Sequence, residues 1–162
     1  MNRYKGRGHW FSPPIVQIRN GTPTISATSP DTWAPLPFPN TSSETPHEPW
    51  TISFPSIDSI YTLTSRLDSP LAKYYRSHIR QTFEKLTAEG RRFGVLVLEP
   101  TCLGAGGMVF VDPLFQCCLV EVVRASSDLF GGESQDWEDE LRGLKQRDEG
   151  EWQGLPVLYD EG

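Results

Sequence analysis

The sequence predicts an α/β fold in which helix, strand, helix and strand follow one another and the strands run parallel. Three observations carry that reading. Leu71, Tyr75, Ile79, Phe83 and Leu86 recur every three or four residues, which is one face of an α-helix. Residues 93–98 form an unbroken apolar run, bounded by Arg91-Arg92 and Glu99-Pro100, and such a run suits a strand covered on both faces. The same pair then repeats, with an apolar helical stripe over residues 114–124 and a second apolar strand over 155–159. Two parallel strands cannot cover themselves, so this pattern reads as the middle of a larger sheet.

Each element has local support. Residues 1–55 read as a hairpin followed by a proline-rich loop. Ile15-Val16-Gln17-Ile18-Arg19 runs into Asn20-Gly21, a strong turn pair, and Thr24-Ile25-Ser26 returns. Ten of the fourteen prolines fall between residues 11 and 55, so residues 27–55 are read as loop. The aromatics set among those prolines, Trp33, Phe38, Trp50 and Phe54, admit three readings: pins that hold a long loop to the core, pocket walls, or a ligand for an aromatic groove. Residues 56–125 hold the α/β core. Ser69 and Pro70 suit the N-cap and first position of the first helix, and Gly90 sits where a glycine ends one. Residues 104–107, Gly-Ala-Gly-Gly, lack both the GK[ST] and the GxGxxG spacing of phosphate loops and read as a tight backbone turn. Asp112-Pro113 caps the second helix.

Residues 126–154 read as an acidic, flexible insert. Nine acids and three bases lie between 126 and 152, which accounts for the whole formal charge of -6. With a pI near 5.0 and no basic block, the chain has no electrostatic footprint for nucleic acid. A mean hydropathy of -0.42 and no apolar run of membrane length argue against a transmembrane helix. No targeting sequence is recognised at the start. His9, His47 and His78 are scattered, and Cys102, Cys117 and Cys118 show no metal spacing. Cys117 and Cys118 read as core residues rather than nucleophiles.

The sharpest chemical feature is Asp160, just beyond the last apolar strand, with Glu99 in the equivalent place after the first. Ligands of open α/β sheets bind at the carboxyl ends of strands. Two carboxylates on one rim suit a cationic or protonated partner; the plainer reading is that they cap neighbouring helices.

Several stretches resemble one enzyme family. They are Tyr4-Lys5-Gly6-Arg7-Gly8-His9-Trp10-Phe11-Ser12-Pro13-Pro14, then Gly94-Val95-Leu96-Val97-Leu98-Glu99-Pro100, the run from Gly104-Ala105-Gly106-Gly107-Met108 through Asp112-Pro113-Leu114-Phe115-Gln116, and Leu155-Pro156-Val157-Leu158-Tyr159-Asp160-Glu161. The family is the adenosylmethionine-8-amino-7-oxononanoate aminotransferases of biotin synthesis, in the eukaryotic form fused to dethiobiotin synthase. The resemblance implies a central fragment of the large domain of a fold-type I, class III transferase that uses pyridoxal phosphate. Such enzymes move an amino group from S-adenosylmethionine to 8-amino-7-oxononanoate. Asp160 matches the aspartate that bonds the cofactor's pyridinium nitrogen, and Glu99 matches a glutamate-proline pair beside the active site. The family's catalytic lysine and phosphate-binding turn match nothing in this chain, and Lys5, Lys73, Lys85 and Lys145 do not fit the lysine motif. The resemblance therefore implies a fragment that is inactive in isolation, small-molecule substrates, a homodimer in the intact family, and a mitochondrial setting; without it, a cytoplasmic one is the default. The alternatives are a noncatalytic fragment that docks on a full-length paralogue, or a pseudogene product.

Overall fold

The computed structural model describes residues 11–27, 50–104, 107–130 and 154–160. Within them the chain is mixed α/β and includes a parallel sheet. The Tyr4 block up to Trp10, Trp33, Phe38 and the bulk of the acidic segment lie outside the described residues.

The first element is the hairpin read from the sequence. β1 (Ile15–Arg19) and β2 (Thr22–Ser26) pair antiparallel, with Val16 opposite Ile25. Asn20 and Gly21 both take positive φ, at 51° and 80°, as a two-residue turn of this hand requires. A third strand, β3 (Thr51–Ser53), lies antiparallel to β2, so residues 51–53 are strand and not loop. The preceding Trp50 is buried and its carbonyl accepts from the Ala27 amide, so this aromatic pins the returning chain to the core.

α1 (Ile57–Tyr61) and a 3-10 turn (Leu63–Ser65) follow, and neither was read from the sequence. Ser56 and Ser59 cap α1 reciprocally. α2 (Pro70–Ala88) has the predicted start: the Ser69 side chain accepts from the Ala72 amide and Pro70 opens the helix. Gly90, φ 80°, ends it. Its buried stripe, Leu71, Tyr75, Ile79, Phe83 and Leu86, is the predicted one with Ala72 added.

The apolar run at 93–98 yields a shorter strand, β4 (Leu96–Leu98). Beyond it, β5 (Cys102–Leu103) and β6 (Val109–Phe110) form a small antiparallel hairpin around the glycine-rich turn. α3 (Pro113–Ala125) packs its buried Leu114, Phe115, Cys118, Leu119, Val122 and Val123 into the core shared with α2. Tyr75 and Phe115 meet edge to face at 5.5 Å. Residues 126–130, the front of the stretch read as an insert, are built into this core. Ser126 is buried, and α4 (Ser127–Phe130) sets Phe130 edge to face on Phe83 at 5.0 Å.

β7 (Val157–Tyr159) pairs parallel with β4, Leu96 opposite Val157 and Leu98 opposite Tyr159. The sequence reading expected both faces of these strands to be covered. One face is open instead: Val97 is 57% and Leu158 56% exposed, because no described element lies over them. The return to β7 passes hard against α3. A Cβ at Gly154 would lie 1.8 Å from the Val123 carbonyl oxygen, so only glycine fits there.

Candidate functional site

The register of β4 and β7 decides where the two singled-out carboxylates lie. The Asp160 amide donates to the Leu98 carbonyl at 2.9 Å, which extends the parallel ladder one step past Tyr159. Glu99 and Asp160 therefore leave the two strands side by side, at their carboxyl ends. Asp160 is exposed and Glu99 half-buried.

Glu99 is tied to the following turn. Its Oε2 accepts from the Gly104 amide at 2.6 Å, while its backbone carbonyl accepts from Gln116 Nε2 at 2.9 Å. Gln116 Oε1 in turn accepts from the Thr101 amide at 3.2 Å. The turn itself closes through Gly107 N–H to the Gly104 carbonyl, with Gly107 at φ 97° and Met108 at φ 58°. Since the Gly104 amide is occupied by a carboxylate, Glu99 ties down this turn and caps no helix among the described residues.

A second cluster was not visible in the sequence. Asp112, completely buried, accepts from both terminal nitrogens of Arg66 at 2.9 Å, from the Tyr75 hydroxyl at 2.9 Å and from the Leu114 amide at 3.0 Å. The Arg66 guanidinium also lies 5.0 Å from the centre of the Phe54 ring. Burial first, then the adjacent Asp112 carboxylate, hold the Tyr75 hydroxyl well above its ordinary range, so it remains a donor. The partners sit 46 and 37 positions from Asp112, which is why only the cap was legible.

Of the two adjacent thiols only Cys118 is a core group; Cys117 is half-buried and lies outside the core cluster, contrary to the sequence reading. Burial pushes Cys118 up to about 11 and raises Cys117, so neither is a ready thiolate at neutral pH. Among the described residues no group of three or more His, Cys, Asp or Glu side chains is placed to hold a metal ion, and no helix is long and apolar enough to cross a membrane. A groove of about 600 Å³ runs between Leu98 and Tyr159 on the sheet and Cys117, Val120 and Arg124 on α3; neither Glu99 nor Asp160 lines it.

No known family profile matches the chain. It is 37% identical over 159 residues to the bifunctional dethiobiotin synthetase/adenosylmethionine-8-amino-7-oxononanoate aminotransferase of Emericella nidulans, a match that covers 98% of this chain and 18% of that protein. It is 36% identical over 123 residues to the bifunctional dethiobiotin synthetase/7,8-diamino-pelargonic acid aminotransferase, mitochondrial, of Arabidopsis thaliana, covering 75% of this chain and 13% of the plant protein. The Oryza sativa subsp. japonica protein of the same name is 30% identical over 120 residues, with 73% and 13% covered. The chain thus spans less than a fifth of the length of these relatives, and it is a homologue of one segment of the bifunctional dethiobiotin synthetase/adenosylmethionine-8-amino-7-oxononanoate aminotransferase family.

Proposed function

We propose that this chain supplies part of the aminotransferase active-site rim of such an enzyme, in a large domain of the fold-type I, class III kind. The reaction is amino transfer from S-adenosylmethionine to 8-amino-7-oxononanoate with pyridoxal phosphate as cofactor, in a mitochondrial setting like that named for the plant relatives. The observation that supports this reading is the parallel register that leaves Asp160 and Glu99 together at the carboxyl ends of β4 and β7.

The residues present fit one part of the cofactor. Asp160 is an exposed carboxylate at a strand end, and a cationic ring nitrogen would find a charge-assisted partner there. When bound, the cofactor supplies an electron sink. Asp160 would hold a proton at the ring nitrogen, and Glu99, whose Oε2 accepts from the Gly104 amide, stands beside it at the end of the neighbouring strand. The lysines among the described residues, Lys73 and Lys85, are both on α2 rather than at the rim. The Gly104 amide, committed to Glu99, is not available to a phosphate. One anchor is therefore assigned to this chain, and the chain alone is inferred to be catalytically silent.

The test is a chimera in which this chain replaces the matched segment of the Emericella nidulans relative. The parent chimera should turn over and the chain alone should not. Asp160→Asn should lower kcat on the order of 10²-fold, about 3 kcal/mol of barrier, because a neutral amide does not hold the ring nitrogen in its cationic form. Glu99→Gln should cost less. If Asp160→Asn leaves kcat within a fewfold of the parent, Asp160 is not the ring-nitrogen partner and the reading fails.

A further inference from the structure

We propose that Gln116 is a positioning residue for Glu99: it clamps the backbone on both sides of Pro100 and so sets the turn onto which the Glu99 carboxylate locks. The inference rests on the reading of Glu99 as part of the rim, and it adds a residue to that rim from a different element.

The geometry points to this role in three ways. The Gln116 side chain bridges two backbone groups two residues apart, donating to the Glu99 carbonyl at 2.9 Å and accepting from the Thr101 amide at 3.2 Å. Pro100 between them has no amide of its own, so the ladder of β4 ends here and the side-chain amide takes over the pairing. Thr101 is held at φ 66°, a left-handed conformation that a β-branched residue adopts only under outside constraint. Its amide bonds Gln116 and its carbonyl accepts from the Val111 amide at 3.0 Å, so both of its backbone groups are tied. Finally, the clamp has a fixed base. Gln116 lies in the first turn of α3, one residue after Phe115, and that turn is anchored by the Asp112 cap and its buried pairing with Arg66. The route from core to rim therefore runs from Arg66 and Asp112 through α3 to Gln116, then to the backbone at 99–101, and then through the Glu99 carboxylate to the Gly104 amide.

A clamp of this kind predicts coupling at a distance. Gln116 does not bond Gly104, yet the Glu99–Gly104 hydrogen bond should depend on it. Amide exchange on the isotope-labelled chain reads this directly, with the Leu119 amide in the middle of α3 as an internal reference that cancels any global loss of stability. Gln116→Met keeps the bulk and removes both hydrogen bonds. Relative to Leu119, exchange at Thr101 and at Gly104 should each speed up roughly tenfold. Gln116→Glu retains an acceptor for the Thr101 amide but loses the donor to the Glu99 carbonyl, so Thr101 protection should return. A merely structural Gln116, packing on α3, would shift Leu119, Thr101 and Gly104 alike. Gly104 exchange that is unchanged, or that moves only in step with Leu119, overturns the proposal.

In the chimera, Gln116→Met should lower kcat no further than Glu99→Gln does, and the double variant should match Glu99→Gln alone, because the two act through one group. Additive losses would overturn the action of Gln116 through Glu99 while leaving the Asp160 result untouched. An innocuous Asp160→Asn would instead sink the active-site reading, with the amide-exchange result still standing for the clamp.

Discussion

The Asp112 carboxylate accepts from Arg66, Tyr75 and the Leu114 amide while lying completely out of solvent. Its value is therefore asymmetric. Removing one partner leaves the other charge buried and unpaired, which costs about 3–5 kcal/mol, whereas replacing both by apolar groups costs far less. Asp112→Ala should lose about that much stability by urea unfolding, and Arg66→Met a comparable amount. The Arg66→Met/Asp112→Leu pair should fall well short of the sum of the two. An additive pair would show that the carboxylate matters as a helix cap and not as a counter-ion. Half of this was readable beforehand: Asp before Pro, ahead of an apolar stripe, announces a cap from local chemistry alone. The other half was not, because an arginine in an irregular stretch carries no mark of the buried carboxylate it will meet 46 residues later. Gln116 is a similar case. Its position on α3 was legible, but its grip on the backbone beside Pro100 depends on where β4 ends in space.

At the scale of elements, the readable pieces were those with both a period and a boundary signal. α2 has its stripe, its Ser69 cap and its Gly90 stop, and the β1–β2 hairpin has Asn20-Gly21. β3 is three residues long and α1 five, too short for a period to accumulate, and β3 sits among prolines that argue for loop. α4 was hidden by charge. Asp128 opens a run of acids, yet its carboxylate pairs with Arg80 on α2. Leu129 and Phe130 pack on the core, with Phe130 edge to face on both Phe83 and Phe93. The composition of the longer segment outweighed these few residues. The consequence is measurable. Phe130→Ala should cost about 2 kcal/mol, roughly half the penalty of a fully buried phenylalanine because this ring is half-buried. Chemical denaturation checks it, and a change within about 0.5 kcal/mol would return residues 126–130 to the surface segment the sequence suggested.

At the scale of the molecule, the sequence pattern points to a parallel sheet larger than this chain supplies, and the described residues hold one parallel pair of strands. β4 and β7 carry α3 against one face, with Leu98 buried, and leave Val95, Val97 and Leu158 exposed on or beside the other. Two parts of the strand reading fail, the length, since the strands are only Leu96–Leu98 and Val157–Tyr159, and burial on both faces, which fails for a reason of scale: an unbroken apolar run reports the environment for which a strand is suited, whereas exposure reports what else is present. The relatives are more than five times as long as this chain, so the rest of such a sheet has ample sequence to come from. Taken alone, the folded chain should therefore display a contiguous apolar patch of the kind that soluble monomers rarely show. It should bind an apolar reporter dye such as anilinonaphthalene sulfonate while its α2–α3 core remains native by near-ultraviolet circular dichroism. Val97→Thr with Leu158→Thr should lower that fluorescence severalfold and leave the urea midpoint nearly unchanged, since both side chains are already more than half exposed. In the chimera with the Emericella nidulans relative the same pair should instead destabilise the protein, by about 1 kcal/mol or more for each side chain, since each substitution would bury a hydroxyl in place of apolar surface. Unchanged dye binding in the isolated double variant would mean that the dye reads some other surface and that this face is not the apolar patch.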